Sequence, residues 1–466
     1  MNKLKRPGLL LLMLTLLVTT GQGCLGGASE TVTAEPVTLE YWRVFDGEDA
    51  FEDIIRDYRT LHPNVTINYT KLRFDEYENQ LLRAMAEGRG PDIFSVHNTW
   101  MGEYQSRLLP MPSSVTVTYN EQRGSLRRET VTVAKEEPTM SMRDLSQNFV
   151  DQVVSDVVLD YQPDPKLDPQ ERIYGLPLSV DSLVLFYNKD LFNAAGIATP
   201  PTSWSEEDFY AKVDALTSYD TRGEVEQSAI ALGRSDNVER ATDIVSLLMM
   251  QVGTEMTDER GRVSFQNIPA TALEDTYPTL NALEFYTDFA DPTKQVYTWN
   301  DTYKNSFEAF ANGDTAMFIG YSYHIPLLRT AAPKLNFAIS TVPQISQSQK
   351  VNFANYWIES VAATTKYPDW AWDFVMFTTD EANVASYLNT AKRPAALKNL
   401  IASQIEDEDL GPFAEQTLTA RSWYQGNDAA TAEDAMKDLV DQILAGTDDP
   451  GEAIDVAARR VAETLK

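Results

Sequence analysis

Apolar and polar positions alternate along Val37-Thr38-Leu39-Glu40-Tyr41-Trp42, the two-residue period of a strand. Phe51, Ile54, Ile55 and Tyr58 then recur at spacings of three and four, one face of a helix. Val65, Ile67 and Tyr69 return to alternation. Asp75 is placed to cap a helix carrying Tyr77, Leu81 and Met85, with Gly88 as its stop. Pro91 to Val96 gives a third short strand. Strand, helix, strand, helix, strand predicts a parallel sheet with helices on its faces.

Between Ser113 and Ser141 the rhythm breaks. Val115–Tyr119 and Glu129–Val133 predict a hairpin whose tip, Arg123 to Arg128, is basic. A surface insertion is expected, with docking as the sharper possibility, since loops carry function disproportionately. The α/β rhythm resumes with strands at 182–187, 228–232, 315–319, 336–340 and 357–363. Helices fall at 190–195, around 209–216 with Ser203 as cap, at 242–251, 277–289 and 303–312, and almost continuously after Asp369.

The chain begins differently. Lys3, Lys5 and Arg6 precede an apolar run from Leu9 to Val18, then Gly21-Gln22-Gly23-Cys24. Basic, apolar, then small residues is the layout of a secretory leader, read here as residues 1–23. Cys24, the single cysteine, stands where bacterial lipoproteins are cut and acylated. Residues 24–36 then form an anchor cysteine and tether, and export is expected. The apolar run is about ten residues where a membrane span takes about 20.

At 466 residues the chain exceeds what one core supports, so two lobes are expected. The net charge of −30 is opposed by no basic stripe, which excludes nucleic acid as a partner. The three histidines His62, His97 and His324 lack metal-ligand spacing, so no metal and no cofactor is expected. The Gly-x-Gly-x-x-Gly string at Gly21, Gly23 and Gly26 has no strand before it and no helix after it, so it is no dinucleotide cradle, and a phosphate-binding loop and a nucleophile elbow are absent from the sequence.

Open α/β sheets bind ligands beyond the carboxyl ends of their strands. There the chain sets Trp42 with Asp46, His97-Asn98-Thr99-Trp100, Tyr321-Ser322-Tyr323-His324, Asn355-Tyr356-Trp357 and Arg421-Ser422-Trp423-Tyr424. Each place combines a ring with groups that donate or accept hydrogen bonds. Sugars present an apolar C–H face and a rim of hydroxyls, so this mixture suits a carbohydrate.

Several segments carry a family resemblance: Leu39 to Trp42, Gly90 to Phe94, Tyr174 to Asp181, Phe186 to Phe192, Pro201 to Trp204, Phe310/Gly313/Ala316/Met317 and Lys392-Arg393-Pro394. From Val37 to the C-terminus the chain resembles the family 1 extracellular solute-binding proteins of bacterial ABC importers, the maltose-binding-protein-like group. The resemblance implies two open α/β sheets joined by hinge crossovers, with a ligand cleft between the lobes. Residues 37–180 plus 358–410 would form the N-terminal lobe and 181–357 plus 411–466 the C-terminal lobe. Ligand contacts would fall on Trp42, Asp46, His97, Asn98, Trp100, Asp181, Tyr321, Tyr323, Tyr356, Trp357 and Arg393, with Trp423 added from the strand-end reading. The expected function is capture of a mono- or oligosaccharide by a lipid-anchored monomer for import through a permease, with no catalysis. A surface sensor and an exported glycan-active enzyme are the alternatives.

Overall fold

The computed structural model describes residues 32–123, 128–270, 272–273 and 276–465. The leader, Cys24 and the middle of the basic hairpin tip lie outside the described residues.

The strand Val37–Val44 is flanked by two parallel neighbours, Val65–Leu72 and Ile93–His97, as the early alternation predicts. Register puts Leu39 beside Ile67 and Tyr41 beside Tyr69. A fourth strand, Trp357–Val361, returns antiparallel against Ile93–His97 and sets Trp357 opposite His97. The core beneath combines this sheet with helices at 52–61, 74–86, 368–378 and 381–391.

A second sheet is built from Ser218–Tyr219, Val225–Ile230, Thr315–Gly320, Val184–Asn188 and Phe337–Thr341, in that spatial order. It has its own apolar clusters, one of which takes in the two C-terminal helices, Ala429–Leu444 and Pro450–Thr464. Two cores around two sheets are what a chain of this length requires.

The chain passes between the lobes three times, and the crossings pair with one another. Asp181–Ser182, Asn352–Asn355 and Ala420–Arg421 form a small three-stranded sheet. Asp156, fully buried on the helix Asp151–Val157 of the first lobe, is a post for these crossings. It accepts from Tyr356 Oη at 2.6 Å, Ser422 Oγ at 3.0 Å, Gln152 Nε2 at 2.8 Å and Gln425 Nε2 at 3.2 Å. On one side the lobes touch so closely that a β-carbon on Gly102 would stand 2.3 Å from the Gln425 carbonyl oxygen. Only glycine fits there.

The hairpin is longer than the sequence suggests, Ser114–Arg123 with Glu129–Pro138, and rests on the helix Pro368–Thr378. Three helix starts differ from expectation. Asp75 lies inside the first turn of its helix, behind Arg73. Ser205, not Ser203, caps the helical segment from Glu206 by accepting from Asp208 N. The helix expected from Tyr303 begins at Ser306, because the Asn305 side chain caps it by accepting from Glu308 N. In the first two cases the residue with cap geometry displaced one with cap chemistry alone.

Candidate functional site

Between the two sheets lies a cleft of about 570 Å³. The ends of Val37–Val44 and Ile93–His97 open into it from one lobe, and the turn after Thr315–Gly320 from the other. Asp46, His97, Trp100 and Trp357 line it from the first lobe, Tyr323 from the second, and Asp181, Tyr356 and Arg393 from around the crossings. Trp42, Asn98, Tyr321 and Trp423 do not line it.

The four exceptions have physical reasons. Trp42 is in phase with Thr38 and Glu40, on the strand face that turns away, while Arg43 beside it reaches the cleft. Asn98 is buried and braces the crossing: its Oδ1 accepts from Tyr356 N at 3.4 Å. Tyr321 is buried and donates to Asp243 Oδ2 at 2.6 Å. Trp423 packs on the second core and donates to Ser246 Oγ at 3.1 Å.

Aromatic rings dominate the first-lobe wall. The Trp357 ring lies 5.4 Å from Trp100, 5.2 Å from His97, 5.8 Å from Tyr77 and 6.0 Å from Phe45. Phe74 and Phe45 extend the wall outward. Phe45 stands within the mixed group from Trp42 to Asp46, whereas Phe74 stands outside every such group in the sequence.

The floor is a chain of ion pairs. Arg43, 3% exposed, reaches Asp46 at 3.0 Å and Glu359 at 3.4 Å, with its guanidinium between the Phe51 and Tyr387 rings at 4.8 and 5.3 Å. Arg393 joins Asp46 at 3.5 Å to Asp181 at 4.0 Å and donates to Ser322 Oγ at 3.1 Å. Asp181 also accepts from Ser322 Oγ at 2.6 Å, Ser322 N at 3.0 Å and Ser182 N at 2.9 Å. Burial pushes the Asp181 carboxyl up, and Arg393 opposes it. Asp181 therefore ties a crossing strand to the second lobe, with its oxygens already engaged. On the second lobe, Arg240 clasps Asp243 through two bonds of 2.9 Å.

His97 connects the lobes through a neutral ring. Its Nδ1 accepts from Thr99 Oγ1 at 2.7 Å and its Nε2 donates to Asn355 Oδ1 at 3.0 Å, while Asn355 Nδ2 lies 3.5 Å from Asp243 Oδ2. Burial pushes the imidazole down to about 4. Above its ordinary value of about 6.5 the ring is neutral whether folded or unfolded. As pH falls from 6.5 toward 4 only the unfolded chain takes the proton, so stability is lost across that window. The His97 ring keeps partial solvent contact, which limits the loss to about 1–2 kcal/mol. Between pH 6.5 and 4.5 the melting temperature of His97→Gln will fall less steeply than that of the wild type. Parallel slopes would remove His97 as the source.

Backbone strain marks the same place. Among the described residues, the non-glycine positions with positive φ are Phe45 (63°), Arg240 (56°) and Lys392 (53°). The first two line the cleft and the third precedes Arg393. Strain of this kind gathers at ligand clamps and switch regions.

Among the described residues no cluster of histidine, cysteine or carboxylate side chains could hold a metal ion, and no helix is long and apolar enough to cross a membrane.

A family profile described as bacterial extracellular solute-binding protein matches residues 53–410. The multiple sugar-binding protein of Streptococcus mutans is 23% identical over 258 residues, 54% of this chain and 58% of that protein. The chain spans 58% to 59% of the length of the curated relatives it matches. Among solved structures, the sugar-binding protein MalE from Xanthomonas citri superposes with a TM-score of 0.68 at 16% identity, covering 92% of this chain and 97% of that one. An ABC transporter solute-binding protein from Thermotoga lettingae bound with α-D-tagatose gives 0.63 at 18% identity, covering 92% and 100%. These likenesses establish a shared fold.

Proposed function

The chain belongs to the bacterial extracellular solute-binding proteins, and from that membership and the cleft chemistry we propose that it captures a mono- or oligosaccharide outside the cytoplasm for import by an ABC permease. Binding is the whole activity. The guest lies between the lobes and favours the closed form by touching both, and it can shift that equilibrium only by its differential affinity for the closed state. The supporting observation is the pairing of an aromatic wall (Trp100, Trp357, Phe45, Phe74) with a floor on which Asp46, Asp181 and Glu359 are each paired with an arginine. Rings take the C–H faces of an uncharged sugar, and the polar floor and rim take its hydroxyls. The deep carboxylates Asp46 and Asp181 are bound to arginines, which suits hydrogen-bond acceptors better than a proton-donating acid.

Further parts of the reading rest on sequence. A lipid on Cys24 would hold the receptor beside its permease through the tether, raising the effective concentration for delivery. The lobes would divide at residues 180/181 and 410/411, and at the middle crossing before Trp357 rather than after it, because Trp357 pairs with His97 in the first sheet, and the receptor would act as a monomer.

A thermal-shift screen of sugars, polyols, amino acids and polyamines tests the central claim. A guest at about 100 times its Kd stabilises the fold by about 2.7 kcal/mol, so at least one saccharide will raise the melting temperature. Stabilisation by amino acids or polyamines alone, or release of reducing ends from a glycan panel, would overturn the reading.

A further inference from the structure

Phe45 holds a position that its own backbone opposes. Asp46 N donates to the Val44 carbonyl at 2.7 Å, closing a three-residue turn about Phe45, whose φ is 63°. A γ-turn with positive φ is the rare, strained kind, most of all for a residue with a β-carbon. The surroundings enforce it. The Asp46 carboxylate is gripped by Arg43 at 3.0 Å and by Tyr387 Oη at 2.8 Å, and its carbonyl accepts from Tyr69 Oη at 2.9 Å. Glycine would take this turn without strain, yet the chain carries a large ring.

The turn decides where that ring goes. Phe45 is 40% exposed, at the mouth of the cleft. On its own lobe it stacks on Phe74, with centroids 5.7 Å apart. Across the cleft it lies parallel to Tyr323 of the second lobe, 6.2 Å between centroids and 5° between planes. Tyr323 is itself held against Tyr321 at 5.9 Å and His324 at 4.1 Å. A strained element on one lobe thus meets a braced ring on the other.

We propose that Phe45 is an aromatic latch: the strained turn swings its ring over the cleft mouth onto Tyr323, and the pair biases the empty receptor toward closure. Phe45 is a positioning residue in this role, and the inference holds whatever guest the cleft takes.

Small-angle scattering of the full chain without any sugar tests it, using Phe45→Gly, Phe45→Ala, Tyr323→Ala and the double variant Phe45→Gly/Tyr323→Ala. Each single variant will shift the curve to a larger radius of gyration, and the double variant will shift it no further than the larger single, since both break one contact. Phe45→Gly will melt at a higher temperature than Phe45→Ala, because glycine alone relieves the turn. A wild-type curve for Phe45→Gly, or additive shifts in the double variant, would overturn the latch. Melting of Phe45→Ala at or above Phe45→Gly would overturn the strain. No guest is added, so an empty sugar screen leaves this result readable.

Discussion

Replacing Arg43 by methionine will cost about 3–5 kcal/mol of stability, the usual loss when one partner of a buried ion pair is removed. The guanidinium is buried against two carboxylates, Asp46 and Glu359, and Glu359 is itself buried. Glu359 also accepts from Tyr41 Oη at 2.6 Å and Ser95 Oγ at 3.1 Å. Burial pushes its carboxyl up and Arg43 pulls it back. Without Arg43 the Glu359 pKa rises further. A folded-state pKa above the unfolded value stabilises at low pH and loses that contribution as pH rises through it. Relative to the wild type, the variant's deficit will therefore be largest at neutral pH and shrink on acidification toward 5. Glu359→Gln in the same chain will restore part of the loss, since the remaining amide needs no counter-charge. Urea denaturation at pH 7 and pH 5 measures both. A loss under about 1 kcal/mol, within the range of exposed pairs, would mean that the floor of the cleft is not held by this cation.

Arg43 also shows why part of the site was illegible in the sequence. The strand alternation was clear, and it places Arg43 in phase with the buried Leu39 and Tyr41. Composition alone favours Trp42, because an aromatic ring near a strand end suits a sugar. The phase of the pleat decides which neighbour reaches the cleft. A charged residue in the inward phase of a buried strand was the available signal, because burial of an unpaired charge is too costly to occur without a partner.

Sheets, helices and the aromatic loops were legible because they rest on local period and local chemistry. Trp357 could be placed because it begins a strand directly after Asn355-Tyr356. Asp156 could not: on a short helix, Asp-Val gives no sign that Tyr356, Ser422 and Gln425 converge on that carboxylate from crossings more than 190 residues downstream. Phe45 was hidden for another reason. Its role depends on a positive φ, and a phenylalanine gives no sequence signal for that conformation as a glycine would. Tyr321 and Trp423, which do not line the cleft, are the opposite case. Their composition fits a sugar site, and a single hydrogen bond, to Asp243 and Ser246 respectively, accounts for each polar atom.

Trp357→Ala will weaken binding of whichever saccharide the screen identifies by about 30- to 200-fold. The ring stands at the centre of the first-lobe wall, edge-on to Trp100, Tyr77 and Phe45. Loss of a stacking platform removes about 0.5–1.5 kcal/mol of ring interaction, and the apolar area no longer covered by the guest adds about 1.5 kcal/mol or more. At 1.4 kcal/mol per tenfold, the two together give the stated range. The variant will keep its fold, because Trp357 is only partly buried and its strand is held by backbone pairing with Ile93–His97. Trp423→Ala is the matched control. It removes an indole of equal size from outside the cleft, so it will cost stability and leave affinity within about twofold, about 0.4 kcal/mol. Calorimetric titration of both variants separates the cases. Equal affinity for Trp357→Ala and the wild type would take the aromatic wall out of the binding site, and a loss in Trp423→Ala as large as in Trp357→Ala would show that general destabilisation, not contact with the guest, governs affinity.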